Sequence, residues 1–444
     1  MVGVAQLVEH RVVVPGVAGS SPVAHPMNRY LRMSAVGAAL TANGLRPFPA
    51  HSLAAIPSFF ASWLTSELAP HNLAITTAGT AAHVAGRRRD RTWTRADSVG
   101  TALNVASIAG LAVLVRRSMG SAASVESALA EALGTDYRTI LGEPSTADLA
   151  VAWQRVMMPW LLTDPQIERI CDLDYVGDGI KRHRLDIYRP RGVDATSNLP
   201  VVIQVHGGAW ILSQKNQQGL PLMTHLAARD FICVAPNYPL SPKAKWPEHL
   251  IALKRAIAWT KGNIAEYGGD PSFVCVTGGS AGGHLSAMMA LTANDPRFQP
   301  GFEDVDTSLQ AAVPFYGVYD IADTLDTKAG RDRLNRFLAR VMFSSRDLSD
   351  YESATALLHV RETAPPFFVI HGTNDSLAPV AEARALVDLL RATSKEVVAY
   401  AELPGTQHGF DVFHSIRSAH VIRGVERFLS WVHASRRASA AQAC

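Results

Sequence analysis

The chain has 444 residues, 48% of them hydrophobic and 18% charged, and a formal net charge of +3. That composition is globular, with material for a full α/β domain plus one smaller unit. So small a net charge gives no ground for a nucleic-acid partner.

Residues 1–26 look unlike the rest. Gly3 to His10 and Gly19 to Pro26 resemble a transfer-RNA gene translated as though it were coding. Met27 is then the expected true start; the other reading is a disordered N-terminal tail. From Met27 to residue 165 the pattern is helical and Ala-rich. Between Met27 and Arg117 there are ten Arg, no Lys, and only Glu67, Asp90 and Asp97 as acids. The sharpest cluster, Arg87-Arg88-Arg89, reads as a solvated face, with a peripheral membrane contact as the alternative. Ser98 to Val115 is uncharged and sits at the lower length limit for a membrane span. Its Ser, Thr, Asn and Gly content favours an amphipathic or buried helix. No signal peptide stands out after Met27, so cytoplasm and cell envelope both stay open.

From about Ile167 strand patterns begin. Tyr175-Val176 and Arg184 to Tyr188 alternate like antiparallel strands around the turn Gly177-Asp178-Gly179. Leu199 to Val205 is continuously apolar, as for a strand buried on both faces. Phe231–Ala235, Ser272–Thr277, Leu309–Phe315, Pro366–Ile370 and Val397–Leu403 read as further strands. Helices are expected over Pro247–Tyr267, His284–Asn294, Val380–Thr393 and Ser415–His433. Alternating strands and helices predict a mostly parallel sheet covered on both faces. Residues 320–364 break the rhythm and are expected to form a small helical cap; residues 436–444 are expected to be a disordered tail. The four cysteines, Cys171, Cys233, Cys275 and Cys444, have neither zinc-site nor disulfide spacing. Cys233 and Cys275 read as small core residues.

Chemistry gathers at strand ends. Gly278-Gly279-Ser280-Ala281-Gly282-Gly283 stands between a strand and a helix, the setting in which G-x-S-x-G exposes a nucleophilic serine. His206-Gly207-Gly208-Ala209-Trp210 follows another strand, where small residues can turn amides toward a developing oxyanion. Asp375 and His408 follow two later strands. Ser, Asp and His then fall in the chain order of an α/β-hydrolase triad, each past a strand's carboxyl end. A serine hydroxyl needs a base with pKa near 7, which histidine supplies, and the histidine needs a carboxylate to orient it. Ser280 is the expected nucleophile, His408 the base and Asp375 the orienter. Asp320 and Asp323 are rival acids, and His414 and His420 rival bases. His206 and His371 read as structural. Trp210, Tyr316 and Phe410 flank these positions and are expected to line an acyl pocket, or else to be core packing.

From about Ile167 to His433 the chain resembles the hormone-sensitive-lipase-like esterases of the α/β-hydrolase fold. The resemblance is carried by HGGAW at His206, the segment from Asn237 to Pro247, Tyr267-Gly268-Gly269-Asp270-Pro271, and GGSAGGHLSA at Gly278. With the front included, the chain from Met27 is similar to mycobacterial carboxylesterases and lipases. That resemblance implies a serine hydrolase of carboxylic esters, small-molecule or lipid. It also implies no metal or organic cofactor, and an oxyanion hole from the amides of Gly207, Gly208 and Ala281. Two positions depart from the pattern: Ala209 stands for a third Gly, and Gly279 for an acid. HG-G-x-W also occurs in kynurenine-formamidase-like hydrolases, so amide or formamide cleavage on the same triad is the alternative. The expected division is an extension over 1–26, a helical region over 27–165, a catalytic domain over 166–435 and a tail. Oligomeric state is not legible.

Overall fold

Val201, Ile203 and Val205 point into one core while Val202, between them, joins the other. That period of two makes the segment a strand buried on both faces. The computed structural model describes residues 29–48, 54–135, 137–142, 150–333 and 337–443. The expected extension over 1–26 lies outside the described residues. Eight strands form one sheet: β1 (Ile167–Asp174), β2 (Arg184–Pro190), β3 (Leu199–Val205), β4 (Ile232–Pro236), β5 (Gly269–Gly279), β6 (Ala312–Phe315), β7 (Phe367–Gly372) and β8 (Val398–Leu403). Their order is β1-β2-β4-β3-β5-β6-β7-β8. β1 and β2 are antiparallel to their neighbours, and the other five pairings are parallel. Tyr175 falls just outside β1. The Asp174 carboxylate accepts the amides of Val176, Gly177 and Gly179, closing a loop where a strand was expected.

The front is helical, as expected: α1 (Arg29–Leu45), α2 (Ala55–Glu67), α3 (Ala69–Asp90), α4 (Arg95–Leu133), α5 (Tyr137–Leu141) and α6 (Trp153–Met157). Thr94 and Asp97 cap α4 reciprocally, the Asp97 carboxylate accepting the Thr94 amide at 2.8 Å. α4 lies wholly before the expected boundary at residue 165, yet its second half packs on the sheet. Its Val125, Ala128 and Leu129 share a core with β7, β8 and the last helix. Residue 165 is therefore no seam: the apolar second half of α4 is a layer of the catalytic domain.

α7 (Leu220–Ala227) and the last helix, α14 (Ile416–Ala443), cover the same sheet face as α4. α8 (Glu248–Asn263), α9 (Ala281–Leu291) and α13 (Val380–Thr393) cover the other. α14 runs through the stretch expected as a disordered tail, which its alanines, the best helix formers, explain. The expected cap holds α10 (Lys328–Arg333), α11 (Ala339–Val341) and α12 (Leu348–Ser353). Its fixing contacts run to Trp246, His284 and Glu382: Trp246 N donates to Met342 O at 2.9 Å, and Arg333 pairs with Glu382 at 2.8 Å.

Candidate active site

Ser280 joins β5 to α9 with φ 61° and ψ −121°, a left-handed conformation that non-glycine residues rarely hold. Tight neighbours keep it there. A Cβ at Gly282 would lie 2.1 Å from Val205 O, so only glycine lets α9 approach β3. A Cβ at Gly279 would lie 2.5 Å from the Tyr316 hydroxyl. The missing acid at this position leaves the room that Tyr316 fills.

His408 Nδ1 lies 2.7 Å from Asp375 Oδ2. The other carboxylate oxygen of Asp375 accepts the amides of Leu377 and Ala378, each at 2.8 Å. Burial works to raise the Asp375 pKa, but the charge of His408 and the hydrogen bonds of His371 and His408 outweigh it and hold it low. His371 contacts the same carboxylate at 3.3 Å and Ala378 O at 3.0 Å. It thus braces the acid, as a structural histidine. His206 is structural too: fully buried, stacked on Tyr238, and pushed down to about 4 by burial.

Tyr316 links serine and histidine. Its hydroxyl reaches Gly279, next to Ser280, and its ring lies 4.6 Å from the His408 ring. That hydroxyl donates to the buried Asp411, whose carboxyl burial pushes up. Of the three expected pocket residues only Tyr316 touches the site. Trp210 is buried and donates to His284 Nδ1 at 3.3 Å, and Phe410 is buried against Phe315 and Tyr316. Both are core packing beneath the site, because their rings complete the apolar layers under the loops.

The oxyanion donors also need one correction. Gly207 N donates to Gln218 Oε1 at 2.7 Å, so this amide is already engaged. Gly208 takes φ 109° and Ala209 φ 52°, so Ala holds a left-handed position where the pattern has Gly. A Cβ at Gly207 would lie 3.1 Å from Ser280 Cβ, which places this loop directly on the serine. Ala281 opens α9, with its amide in the first helical turn.

The rival groups are occupied elsewhere. Asp320 and Asp323 accept amides of their own loop, from Thr324, Leu325 and Thr327. Burial pushes His414 and His420 down to about 4.

Sequence reasoning missed α2. Phe59 sets its ring edge-on to His408 at 5.9 Å, and Trp63 Nε1 donates to Gly409 O at 2.8 Å. Gln407 Oε1 accepts the amides of Ser376 and His408, and its Nε2 donates to Ser62 Oγ at 2.7 Å. Glu67, at the end of α2, forms a fully buried ion pair with Arg417 and accepts from Ser415 Oγ at 2.8 Å. The helix set against His408 therefore comes from the front, not from residues 320–364. The apolar-aromatic pattern of α2 was visible, but its partner lies some 346 positions away.

The chain is 42% identical over 423 residues to the probable carboxylic ester hydrolase LipM of Mycobacterium tuberculosis, covering 92% of this chain and 94% of that one. The chain belongs to the mycobacterial, hormone-sensitive-lipase-like carboxylic ester hydrolases. Esterase LipQ of the same organism is 40% identical, over 70% of this chain and 75% of its own. A family model described as BD-FAE matches residues 185–390 of this ester hydrolase. Among solved structures, a truncated carbohydrate esterase from gut microbiota has a TM-score of 0.50 at 22% identity, over 60% of this chain and 98% of that chain. Esterase 2 of Thermogutta terrifontis, with butyrate bound, has a TM-score of 0.50 at 21% identity, over 60% and 94%. These two share the α/β-hydrolase fold.

Proposed function

We propose that this ester hydrolase works through an acyl-enzyme on Ser280. His408 takes the Ser280 Oγ proton as the oxygen attacks the ester carbonyl. The tetrahedral oxyanion is met by the amides of Gly208 and Ala281, and by Gly207 if Gln218 yields its amide. His408 returns the proton to the leaving alcohol, then activates a water that releases the acid. Asp375 fixes the histidine tautomer and stabilises the imidazolium. The observation that carries this reading is the buried Asp375–His408 pair, packed through Tyr316 against a serine held at φ 61°. Cleavage of amides or formamides would use the same residues; the ester-hydrolase names of the relatives weigh against it.

Hydrolysis of p-nitrophenyl esters from acetate to palmitate, with Ser280→Ala in parallel, tests it. The wild type is expected to turn over esters, with its optimum naming the acyl length. Ser280→Ala should lose about 10⁴-fold or more in kcat while remaining folded. Full activity in folded Ser280→Ala would exclude the mechanism.

A further inference from the structure

α1, α3 and the first half of α4 pack largely inside out, with Ala69, Leu111 and Leu114 as the buried apolar exceptions. α1 turns Ser34, Thr41 and Gly44 inward and leaves Met33 65% exposed, with Val36 and Leu40 also outward. α4 buries Gly100, Ser107 and Gly110, and exposes Val99, Val105 and Val113. α3 buries Thr80 and leaves Ile75 71% exposed. In water the reverse is expected, with the apolar stripe inward. In lipid there is no hydrophobic drive between helices, so small residues and hydroxyls form the interface and aliphatics face out.

The inner contacts fit that solvent. A Cβ at Gly100 would lie 2.8 Å from the Tyr30 ring, and one at Gly110 would lie 2.6 Å from Thr41 Cγ2. Close helix approach thus needs glycine at both positions. Asn104 Nδ2 donates to Thr80 Oγ1 at 2.9 Å, and Tyr30 Oη meets Thr101 Oγ1 at 3.1 Å. Thr41, Thr80 and Ser107 return their hydroxyls to the carbonyls four residues back, at 2.7–2.9 Å. These bonds satisfy the hydroxyls of Thr41, Thr80 and Ser107 without water.

Length and charge agree. Among the described helices α4 alone is, by length and composition, apolar enough to cross a membrane, and only 28% of its most apolar stretch is buried. Asp97 and Arg116 bound its uncharged stretch; the 18 residues between them correspond to about 27 Å of helix. The hydrocarbon core of a bilayer is about 30 Å thick. Tyr30 lies beside Thr101 and Leu45 O accepts from Arg117, so α1 runs parallel to α4; Thr80 beside Asn104 and His83 beside Asp97 make α3 antiparallel. One end of the bundle therefore gathers Arg29, Arg32, the Arg87–Arg91 turn and Arg95. The other carries Arg46, Arg116 and Arg117. Of the three acids, Asp97 and Glu67 are buried in ion pairs, which leaves Asp90 as the exposed one.

We propose that α1, α3 and the first half of α4 cross a lipid bilayer as a three-helix bundle, with the arginine-rich end cytoplasmic and the catalytic domain on the opposite side. The excess of arginine at the α3–α4 end sets this orientation through the positive-inside rule. At the catalytic end stand Phe60 and Trp160, 53% and 64% exposed, with Leu64 and Met158 beside them in exposure. Trp160 and Trp63 both pack on Phe413, so these aromatics form one rim. Aromatic belts of this kind mark the membrane–water interface. The inner face of the same α2 touches His408. On the esterase reading, an ester dissolved in that leaflet then has a short path to Ser280.

The test uses the full chain in bacterial membranes. After an alkaline carbonate wash it is expected to stay in the pellet and to leave only with detergent. Release by carbonate would overturn membrane crossing. Orientation is read in spheroplasts with a membrane-impermeant maleimide, in a Cys444→Ser background. Cys171, exposed on β1, should label before lysis. In a second protein carrying Asp90→Cys and Cys171→Ser, labelling should require lysis. The opposite pattern would overturn the orientation. Val105→Glu places a charge on the outward face of α4 and should lose membrane retention; full retention and yield would count against lipid contact. None of these readouts uses ester hydrolysis, so a failed esterase mechanism would leave them unchanged.

Discussion

The sheet and the front bury opposite kinds of side chain. Around β3 and β5 the interior is dominated by Val201, Ile203, Val274 and Val276. Between α1 and α4 the interior is mostly Ser34, Thr41, Ser107 and glycine, closed at one end by Leu111 and Leu114, while Met33, Val36, Val99 and Val105 lie outside. The sheet is driven together by removal of apolar surface from water. The front is held by close backbone approach and hydroxyl bonds, the packing that membrane helices use. The same chain therefore carries two packing rules, and α4 obeys each in one of its halves.

Substitutions can break that contrast at chosen points. The largest expected effect is confined to the sheet domain. Asp375→Asn should keep the fold but lower kcat about 10⁴-fold, because the His408 tautomer is no longer held for catalysis. Steady-state rates with a short ester check this, and a loss under tenfold would remove Asp375 from the mechanism. The seam between the two regions comes next. Glu67→Ala leaves Arg417 buried and unpaired, and should cost about 3–5 kcal/mol. The thermal unfolding midpoint should fall, and α2 should become protease-sensitive; an unchanged midpoint would mean that the pair does not hold the front in place.

Acid should then act on the catalytic domain. Burial lowers His206, His284, His414 and His420 from the ordinary 6.5 to about 4. Between those values the unfolded chain binds more protons than the folded one, so stability falls as pH drops from about 6.5 toward 4. Asp375, held low, contributes stability above the ordinary carboxylate range that is lost only at still lower pH. Midpoints by tryptophan fluorescence at pH 7.5 and pH 5 should differ, with pH 5 lower; equal midpoints would contradict neutral burial. The smallest effect belongs to Trp63→Phe. It removes the bond to Gly409 O beside His408, worth about 1 kcal/mol, or about fivefold in kcat/KM. A wild-type value would show that α2 covers the histidine without positioning it.

Most of the sheet was legible because a strand announces itself within a few residues; β1 was the exception, since Tyr175-Val176 forms a loop beyond it. Leu199 to Val205 and Val398 to Leu403 lie within a residue of expectation. The proposed triad was legible for a related reason: each member sits a short turn past a strand, so chain order and strand ends carry the geometry. Trp210 and Phe410 misled because adjacency to a catalytic residue in sequence says nothing about which way a ring points. Gly207 misled because its amide is claimed by Gln218, whose approach depends on the loop leading into α7.

By itself, the sequence determined which residues could do acyl chemistry, since nucleophile, base and acid are types of side chain placed at strand ends. It also determined that the front would be helical and arginine-rich. Only the tertiary structure decided that α2 meets His408, that α4 runs through both regions, and which faces of α1, α3 and α4 turn outward. Those facts depend on partners tens to hundreds of positions apart, and local periodicity does not reveal which stripe of a helix another helix will cover.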